Sequence, residues 1–346
     1  MKKDLRLERK AGLSRRLFWF LLLLATLGLA GAALVLGSVS IPLGRIPEIL
    51  LRSGAEQGGN SPEAVILLQL RLPRIIAAFL VGGALSVAGT LFQGLFRNPL
   101  VEPYTLGVSG GATVLIGLGI LIFGPDVLLL APLLGFLGAV GAVSLAVILT
   151  GRSGRLGVER LLLIGVMISF VCSAALVGLV SVAGLDRFRG LLYWTMGSLA
   201  GADPAAVAIL LPVVGVSFAL ALGRAWALNA LALGEENAAG LGYDPEREKR
   251  LIILLGSLLA GVSVAVAGVI GFVGLLVPHL LRRLVGGDHR VLLPAALVGG
   301  GFFLLACDTL ARTAFSAQGI QFPVGAVTGL LGGVIFIALL SARRAR

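Results

Sequence analysis

The residues able to do chemistry are few in this chain, and they form no known catalytic arrangement. The sequence contains no Walker A glycine loop, no HExxH metal motif and no nucleophile elbow. Cys172 and Cys307 lie in apolar stretches without disulfide or metal-ligand spacing, so we expect both to pack between helices. His279 is expected to be a hydrogen-bonded packing residue, and His289 is the only other histidine, which disfavours a metal site. We therefore expect no metal, cofactor or catalytic residue on this chain.

Arginines stand at the edges of two apolar runs. The motif RLPR at 71–74 precedes one run, and Asp308 and Arg312 close another. Arginines beside a membrane are costly unless they meet water, phosphate or an acidic partner. They can also be snorkelling anchors of a helix, so docking of an acidic protein and simple anchoring both stay open. Asp308 and Arg312 are four residues apart and can pair, which lowers the cost of placing charge there.

A second polar stretch contains Asn98, Pro99 and Pro103. Two prolines four residues apart must break a helix, because neither can donate a backbone hydrogen bond. Asn98 before Pro99 favours a turn. The break is either an ordinary turn or a segment that lines a pathway, since membranes tolerate non-helical backbone only when it is buried in protein or beside a cavity.

The segment 228–242 is typical of two short amphipathic helices. Gly234 separates the two pieces, and Gly240 and Gly242 bracket the stop of the second. We expect four apolar side chains to gather on one side: Leu231, Leu233, Ala238 and Leu241. Such a segment could lie on the membrane surface or insert in a partner's groove. The acidic pair Glu235 and Glu236 disfavours an anionic membrane and favours a protein partner.

Composition places these motifs in a membrane protein. Hydrophobic residues make up 58% of the 346 residues and charged residues 13%, whereas a soluble domain has about 25% charged residues. The 50 glycines lie mostly inside apolar runs, which suits closely packed membrane helices. The net charge of +11 lies in short gaps between the runs, without a nucleic-acid-binding motif. It indicates membrane topology, and no nucleic-acid partner is expected.

Ten apolar runs predict ten membrane-spanning helices. They lie at about 17–37, 75–95, 105–124, 128–149, 161–183, 205–223, 251–271, 272–285, 291–311 and 324–341. The eighth run is short, and the glycines at 268, 271 and 274 predict a sharp reversal before it. We predict an all-α integral membrane protein with a single transmembrane domain at 17–341, which includes a long loop at 225–250. A basic N-terminus at 1–16 and a short tail at 342–346 flank this domain. The first run is longer than the about 7–15 apolar residues of a signal peptide and is expected to be retained.

The distribution of basic residues predicts the orientation. With the N-terminus in the cytoplasm, 21 of the 28 Lys and Arg residues fall on the cytoplasmic side. The opposite side then carries few basic residues, among them Arg71, Arg74, Arg187, Arg189 and Arg312. This bias follows the positive-inside rule for an even number of spans. Both termini are therefore predicted to be cytoplasmic.

The spans contain almost no ionisable residues, which disfavours a proton relay of the secondary-transporter kind. If this chain moves a solute, the energy must come from a partner. A secondary transporter or channel acting without an ATPase is the alternative function. An intramembrane enzyme is disfavoured because the spans hold no catalytic constellation.

Seven sequence blocks from about residue 65 to the C-terminus point to one family. They are RLPR at 71–74, QGLFRNPLVEPYTLGVSGGA at 93–112, YWTMGSL at 193–199, LNALALGEENAAGLG at 228–242, GFVGLLVPHLLR at 271–282, DTLAR at 308–312 and PVGAVT at 323–328. In this order and spacing they resemble the FecCD family, the permeases of importers for ferric siderophores, haem and cobalamin.

The resemblance implies a ten-helix, type II ABC importer permease in the cell inner (plasma) membrane, paired with a second copy or a paralogue. It implies two cytoplasmic ABC ATPase subunits that hold ATP and magnesium, and a periplasmic or lipid-anchored substrate-binding protein. A ferric siderophore is the commonest cargo in the family. Haem, cobalamin and oxyanions are cargoes that this sequence does not separate from it.

The resemblance also carries roles for particular residues. Arg71, Arg74 and Arg312 resemble the arginines that meet acidic residues of the binding protein. Val158 and Glu159 resemble the region of the cytoplasmic gate. The coupling helices seated in the ATPase cleft correspond to Leu228, Asn229, Ala230, Leu231, Ala232, Leu233, Gly234, Glu235, Glu236, Asn237, Ala238, Leu241 and Gly242.

Two positions depart from the family pattern. Gln321 stands where the family usually has Glu, and Gly332-Gly333-Val334 stands where the family usually has a proline in the last helix. Both departures could alter the outer mouth or the packing of the tenth helix. Neither removes a docking or coupling residue.

Overall fold

The computed structural model describes residues 2–36, 44–45, 47, 49, 62–151, 157–314 and 322–341. Gln321 and the predicted tail 342–346 lie outside the described residues. Over the described ranges the chain forms the following helices: α1 (Lys2–Val35), α2 (Pro62–Leu95), α3 (Val108–Phe123), α4 (Ala131–Gly151), α5 (Val158–Ala183), α6 (Leu185–Thr195), α7 (Pro204–Gly223), α8 (Ala225–Leu233), α9 (Glu235–Gly240), α10 (Pro245–Ala267), α11 (Val273–Val285), α12 (His289–Thr313) and α13 (Val324–Ser341).

Each of the ten predicted spans is a helix in the structure, namely α1 to α5, α7 and α10 to α13. Among the described residues, seven helices are long and apolar enough to cross a membrane, and α3 and α13 provide shorter apolar segments. The eighth predicted run is α11, which has 13 residues. The predicted all-α integral membrane fold is confirmed.

The helix α2 forms the centre of the bundle. In its most apolar stretch 89% of the residues are buried, compared with 6% in α5. It packs against α12, α10, α11 and α7. Small residues allow this close packing: a Cβ atom at Gly82 would lie 2.6 Å from Cβ of Leu304 in α12. In α1, α5 and α7, by contrast, only 11%, 6% and 22% of the most apolar stretch is buried, so most of their apolar side chains lie at the outer surface of the bundle.

The start of α2 differs from the sequence prediction. Its run was predicted to begin at 75, but the helix begins at Pro62 and includes a π-helical turn over Ile66–Arg71. The RLPR motif therefore lies inside a helix and not on a loop before it. The polar residues Arg71 and Arg74 continue the helix because both find partners within the protein. Pro73 is tolerated because it stands at the start of the α-helical part, where no intrahelical donor is needed.

The predicted break after α2 is confirmed, and it is more than a surface turn. The helix ends at Leu95, and a 3₁₀ turn over Pro103–Leu106 leads into α3. The side chain of Tyr104 is buried, and its hydroxyl oxygen accepts a hydrogen bond from the Ile270 backbone N–H at 3.2 Å. The second half of the break is therefore enclosed by the protein, which is the condition for non-helical backbone at membrane depth.

The predicted reversal between α10 and α11 is also present. The backbone changes direction through Gly268 and Phe272, with φ of +68° and +69°. Gln93 of α2 fastens this reversal by donating to the carbonyls of Gly274 and Leu275, both at 3.2 Å. The two breaks in helical structure thus contact each other and the end of α2.

The cysteines and His279 have the packing roles predicted for them. Cys172 and Cys307 are free, the first half-buried and the second buried. His279 is buried, and its Nε2 lies 3.1 Å from Arg283 Nη2. Its ring meets Phe336 of α13 edge-on at a centroid distance of 5.8 Å.

Candidate functional site

Two polar regions lie at opposite ends of α2. Arg74 and Gly94 are twenty residues apart in this helix, which corresponds to about 30 Å. This length matches the hydrocarbon thickness of a bilayer, about 30 Å. We call the region around Arg74 the arginine end, and the region around Gly94, with α8 and α9, the coupling end.

At the arginine end a buried carboxylate holds two helices together. Asp308 of α12 is fully buried, and Arg74 of α2 binds both of its oxygens with hydrogen bonds of 2.8–3.1 Å. Arg312 adds an ion pair to Asp308 at 3.3 Å. The predicted pairing of Asp308 with Arg312 is confirmed, but the bidentate partner, Arg74, was not foreseen. No sequence pattern links positions 234 residues apart.

The other contacts of these arginines hold the end of α1. Arg71 Nη1 donates to the carbonyls of Leu34 and Val35 at 2.7 and 3.1 Å. Arg312 Nη2 donates to the carbonyl of Ala33 at 3.2 Å. Cations at a helix C-terminus are favourable because the last carbonyls lack partners and carry partial negative charge.

The predicted docking arginines therefore form one cluster, which we call the arginine cluster: Arg71, Arg74 and Arg312 around Asp308. Its three cationic side chains are largely buried. Arg187 and Arg189 on α6 are exposed, and Arg189 pairs with Asp186 at 2.9 Å. A docking role for the cluster stays a prediction, and its structural role is to join α1, α2 and α12.

At the coupling end, α8 and α9 form the predicted helix pair. Gly234 joins them with φ of +131°, a conformation that favours glycine. The second helix ends in a Schellman motif, in which Tyr243 N–H donates to the Ala238 carbonyl and Gly242 N–H to the Ala239 carbonyl. The predicted separation at Gly234 and stop at Gly242 are both confirmed.

The predicted gathering of four apolar side chains on one side of this pair is wrong. Leu231 and Ala238 are buried in the bundle, whereas Leu233 and Leu241 are 73% and 66% exposed. The sharp turn at Gly234 changes the direction of the chain, so one helical face does not continue through it. Of the other predicted coupling residues, Leu228 and Ala230 are buried, Ala232 and Asn229 are half-buried, and Glu235, Glu236 and Asn237 are exposed.

A polar clasp fixes α8 to the start of α12. Asn229 Nδ2 donates to Asp288 at 2.8 Å, and the backbone N–H of His289 donates to Asn229 Oδ1 at 3.0 Å. Asp288 also caps α12 by accepting from the Arg290 backbone N–H. The Arg290 guanidinium holds the pKa of Asp288 below its usual range, with a smaller contribution from Asn229. The carboxylate therefore stays ionised in the clasp at neutral pH.

Two further ion pairs join the helices of the coupling end. Lys249 of α10 is buried and pairs with Glu235 of α9 at 3.2 Å. Arg224, which precedes α8, pairs with the buried Glu248 of α10 at 3.0 Å. Charges with partners at these positions make α8 and α9 part of the bundle and not a loose loop. The sequence alone did not predict these two ion pairs. The starts of α10 and α12 were predictable, because Asp244 and Asp288 carry a recognisable N-cap signal before apolar runs.

A cavity of about 700 Å³ brings together residues from three of the predicted groups. Asn98 comes from the helix break, Val158 and Glu159 from the predicted gate, and Glu235 from the coupling pair. Arg97 and Arg160 also line it, so its wall is polar and carries charges of both signs. Pro99 and Pro103 belong to the break but not to the wall of the cavity.

The described residues show no arrangement for catalysis by a bound metal. No group of three or more His, Cys, Asp or Glu side chains among them could hold a metal ion. What the described ends of the bundle provide is rigid polar connections between helices.

Comparisons with known proteins agree with this architecture. The model of the FecCD transport family matches residues 21–342. The hemin transport system permease protein HmuU of Yersinia pestis is 42% identical over 283 residues, covering 81% of this chain and 84% of that protein. The cobalamin import system permease protein BtuC of Halobacterium salinarum is 41% identical over 283 residues, covering 82% and 75%. A solved inward-facing metal-chelate type ABC transporter has a TM-score of 0.81 at 29% identity, covering 93% of this chain and 98% of that chain.

The bundle and its two polar ends define a multi-pass transport permease of the cell inner membrane. The chain belongs to the FecCD transport family, as its sequence blocks predicted. One departure from the family pattern has a packing reason: a Cβ atom at Gly332 of α13 would lie 2.5 Å from Cβ of Phe272. The missing side chain lets α13 approach the reversal between α10 and α11.

Removing one partner of the buried ion pair is expected to destabilise the protein strongly. Asp308→Asn leaves two largely buried arginines, Arg74 and Arg312, without their carboxylate, and should cost about 3–5 kcal/mol of stability. Arg189→Gln breaks an exposed pair and should cost about 1 kcal/mol or less. Thermal unfolding of both variants in the same detergent measures the difference. Equal unfolding temperatures for the two variants would contradict the structural role of the cluster.

Proposed function

We propose that this chain is the permease of an ABC importer for a metal chelate, driven by two cytoplasmic ATPase subunits and fed by a substrate-binding protein. The observation that carries the proposal is the coupling pair α8–α9. It exposes Leu233, Leu241 and Glu236, yet Asn229 and Lys249 fix it firmly to α12 and α10. A motor bound to such a pair can pull on the whole bundle. The coupling end would then face the cytoplasm, with both chain termini on that side.

The proposed cargo is a large metal complex. Relatives are named for transport of hemin and of cobalamin, and a structural neighbour is of the metal-chelate type. Ferric siderophore, haem and cobalamin are the three cargoes to test, with ferric siderophore first because it is the commonest in the family. The spans carry few polar side chains that could recognise one of them, so selectivity would lie mainly with the binding protein.

The helix α12 offers a direct mechanical route between the two ends. Its first turn is held by the Asn229–Asp288 clasp, and its last turns carry Asp308 and Arg312 of the arginine cluster. A rigid helix that is fixed at both ends transmits displacement well. Closure of the ATPases could therefore displace the arginine end through α12 alone. Alternation between outward-open and inward-open states requires such a connection between the two ends.

A second permease copy or a paralogue would complete the pathway. The helix α5 has 6% of its most apolar stretch buried, although it begins at the gate residues Val158 and Glu159. A partner packed along α5 would place the cavity near the interface of the two subunits. The break at Asn98, Pro99 and Pro103 would then line the pathway at its cytoplasmic side.

We propose the arginine cluster as the docking region for the binding protein. Arg74 and Arg312 share the single carboxylate of Asp308, which leaves an excess of positive charge at this end of the bundle. Acidic residues on a partner would be attracted to this charge, and such complementarity fixes orientation and accelerates encounter.

Transport in vesicles tests the function itself. The permease reconstituted with its ATPase and binding protein should take up a metal chelate only when ATP is present. The ATPase-free permease is the matched control and should take up none. Uptake by the permease alone would overturn the proposal and favour the alternative of a secondary transporter or channel.

Leu233→Asp should release the ATPase. An exposed apolar anchor at the centre of an interface contributes about 2 kcal/mol, so ATPase binding should weaken by about tenfold or more. Leu185→Asp introduces the same change at an exposed leucine of α6, and should leave binding unchanged. Co-purification of the tagged permease with the ATPase gives the measurement. If both variants retain the ATPase equally, α8–α9 is not the docking site.

Asn229→Ala should uncouple transport from ATP hydrolysis while leaving the ATPase bound. The substitution removes the hydrogen bonds to Asp288 and His289, so movement of α8 is no longer passed to α12. The ratio of substrate transported to ATP hydrolysed is expected to fall severalfold. Asn237→Ala removes only a local bond to the Leu233 carbonyl and should preserve the ratio. A normal ratio in Asn229→Ala would refute the route through the clasp.

Arg71→Gln should weaken docking without unfolding the chain. Glutamine keeps a donor for the α1 carbonyls but removes the charge, and loss of one partly screened charge is worth about 1 kcal/mol, or fivefold in affinity. Arg247→Gln, an exposed arginine of α10, is the control. Affinity of the binding protein for the reconstituted permease is measured, and retention of the ATPase reports folding. If Arg71→Gln leaves the affinity for the binding protein unchanged, the arginine cluster has a purely structural role.

A further inference from the structure

A further groove in the bundle is lined by none of the side chains discussed at its two ends. It runs between α4 and α10 and has a volume of about 440 Å³. Small-molecule sites typically enclose about 300–1,000 Å³. Aliphatic side chains of both helices form its walls, among them Val140, Val147, Ile253 and Leu254. The groove is therefore large enough for an apolar chain and suited to hold one.

A buried serine of α10 lines this groove. Ser257 of α10 is 7% exposed, and its Oγ has no hydrogen-bond partner among the described residues. Buried hydroxyl groups are normally paired, because leaving one unpaired costs free energy. A serine in a helix can usually bond to a carbonyl of the preceding turn, and Ser263 of the same helix does so. The Ser257 hydroxyl is therefore available to a molecule bound in the groove.

A cation that has no ion pair within the described part of the chain lines the same groove. Arg250 is exposed and has no ion pair among the described residues. Its neighbours in α10 do have partners, Glu248 with Arg224 and Lys249 with Glu235. The Arg250 guanidinium is therefore left available for an anion from outside the chain.

The position of Arg250 matches the level at which lipid headgroups lie. It is five residues after the start of α10, at the end of the helix that adjoins α8 and α9. Ile148 on the opposite wall is three residues before the end of α4. Both walls thus leave the hydrocarbon near Arg250, while the rest of the groove lies deeper among aliphatic side chains.

We propose that this groove binds an anionic phospholipid, with its phosphate on Arg250, an acyl chain between α4 and α10, and an ester carbonyl accepting from Ser257 Oγ. Charge complementarity selects the headgroup, because an arginine guanidinium pairs with a phosphate through two parallel hydrogen bonds. The aliphatic walls select the chain. The occupant would brace α10, the helix that carries Lys249 and Glu248 at the coupling end.

Native mass spectrometry of the full chain, stripped of lipid and titrated with phosphatidylglycerol or phosphatidylcholine, tests the site. Wild type should bind phosphatidylglycerol more tightly, and Arg250→Gln should lose about fivefold in that affinity, corresponding to about 1 kcal/mol for one basic residue at an anionic surface. Arg247→Gln removes an exposed charge three residues away, outside the groove, and should bind like wild type. Ser144→Trp fills the groove from α4 and should weaken binding of both lipids.

Three results would overturn the proposal. One is an equal loss in Arg250→Gln and Arg247→Gln, which would indicate general attraction of the basic surface. Another is equal affinity of wild type for the two lipids. The third is competition by inorganic phosphate at millimolar concentration combined with normal lipid binding in Ser144→Trp, which would make the site one for a free anion. Unfolding temperatures within a few degrees of wild type confirm that each variant is folded.

Discussion

The packing of α2 against α12 is the contact on which the other features of this structure depend. Glycines allow the two backbones to approach, and the Arg74–Asp308 ion pair fixes their relative position at the arginine end. In a medium of low dielectric constant a buried carboxylate must be neutralised and hydrogen-bonded, because desolvation otherwise outweighs any attraction. The pair therefore allows essentially one register of α2 against α12, and the remaining helices are arranged around it.

The same logic explains why polar contacts are concentrated at the ends of the bundle. Apolar side chains gain little by choosing one neighbour over another when lipid is equally apolar. Directional contacts such as Asn229–Asp288 and Arg71–Leu34 do distinguish between arrangements. Because the helices are bonded to each other at the ends of the bundle and packed through small residues in its middle, they can tilt as units. This is the mechanical property that a permease moved by an external motor needs.

Much of the fold could be predicted from the sequence because lipid imposes a simple rule on composition. All ten runs became helices, and the prolines after Asn98 ended α2 as their missing N–H groups require. The early start of α2 at Pro62 could not be predicted, since its polar turn is helical only through contacts with the distant α1 and α12. The prediction that Leu231 and Leu233 lie on one side was wrong for a local reason. The positive φ of Gly234 turns the chain, and the spacing of apolar residues does not indicate that angle.

Site residues were predictable to the extent that their function depends on short segments. The pair α8–α9 is a local motif, and its boundaries at Gly234 and Gly242 follow from backbone chemistry. One partner of that pair, Lys249, follows Glu235 by only fourteen residues, but the other, Asp288, reaches it only after α10 and α11. A motif read along the chain identifies what a segment could bind. Only the folded bundle shows that the segment is bonded to α12, and hence that a force applied to the segment can be transmitted to α12.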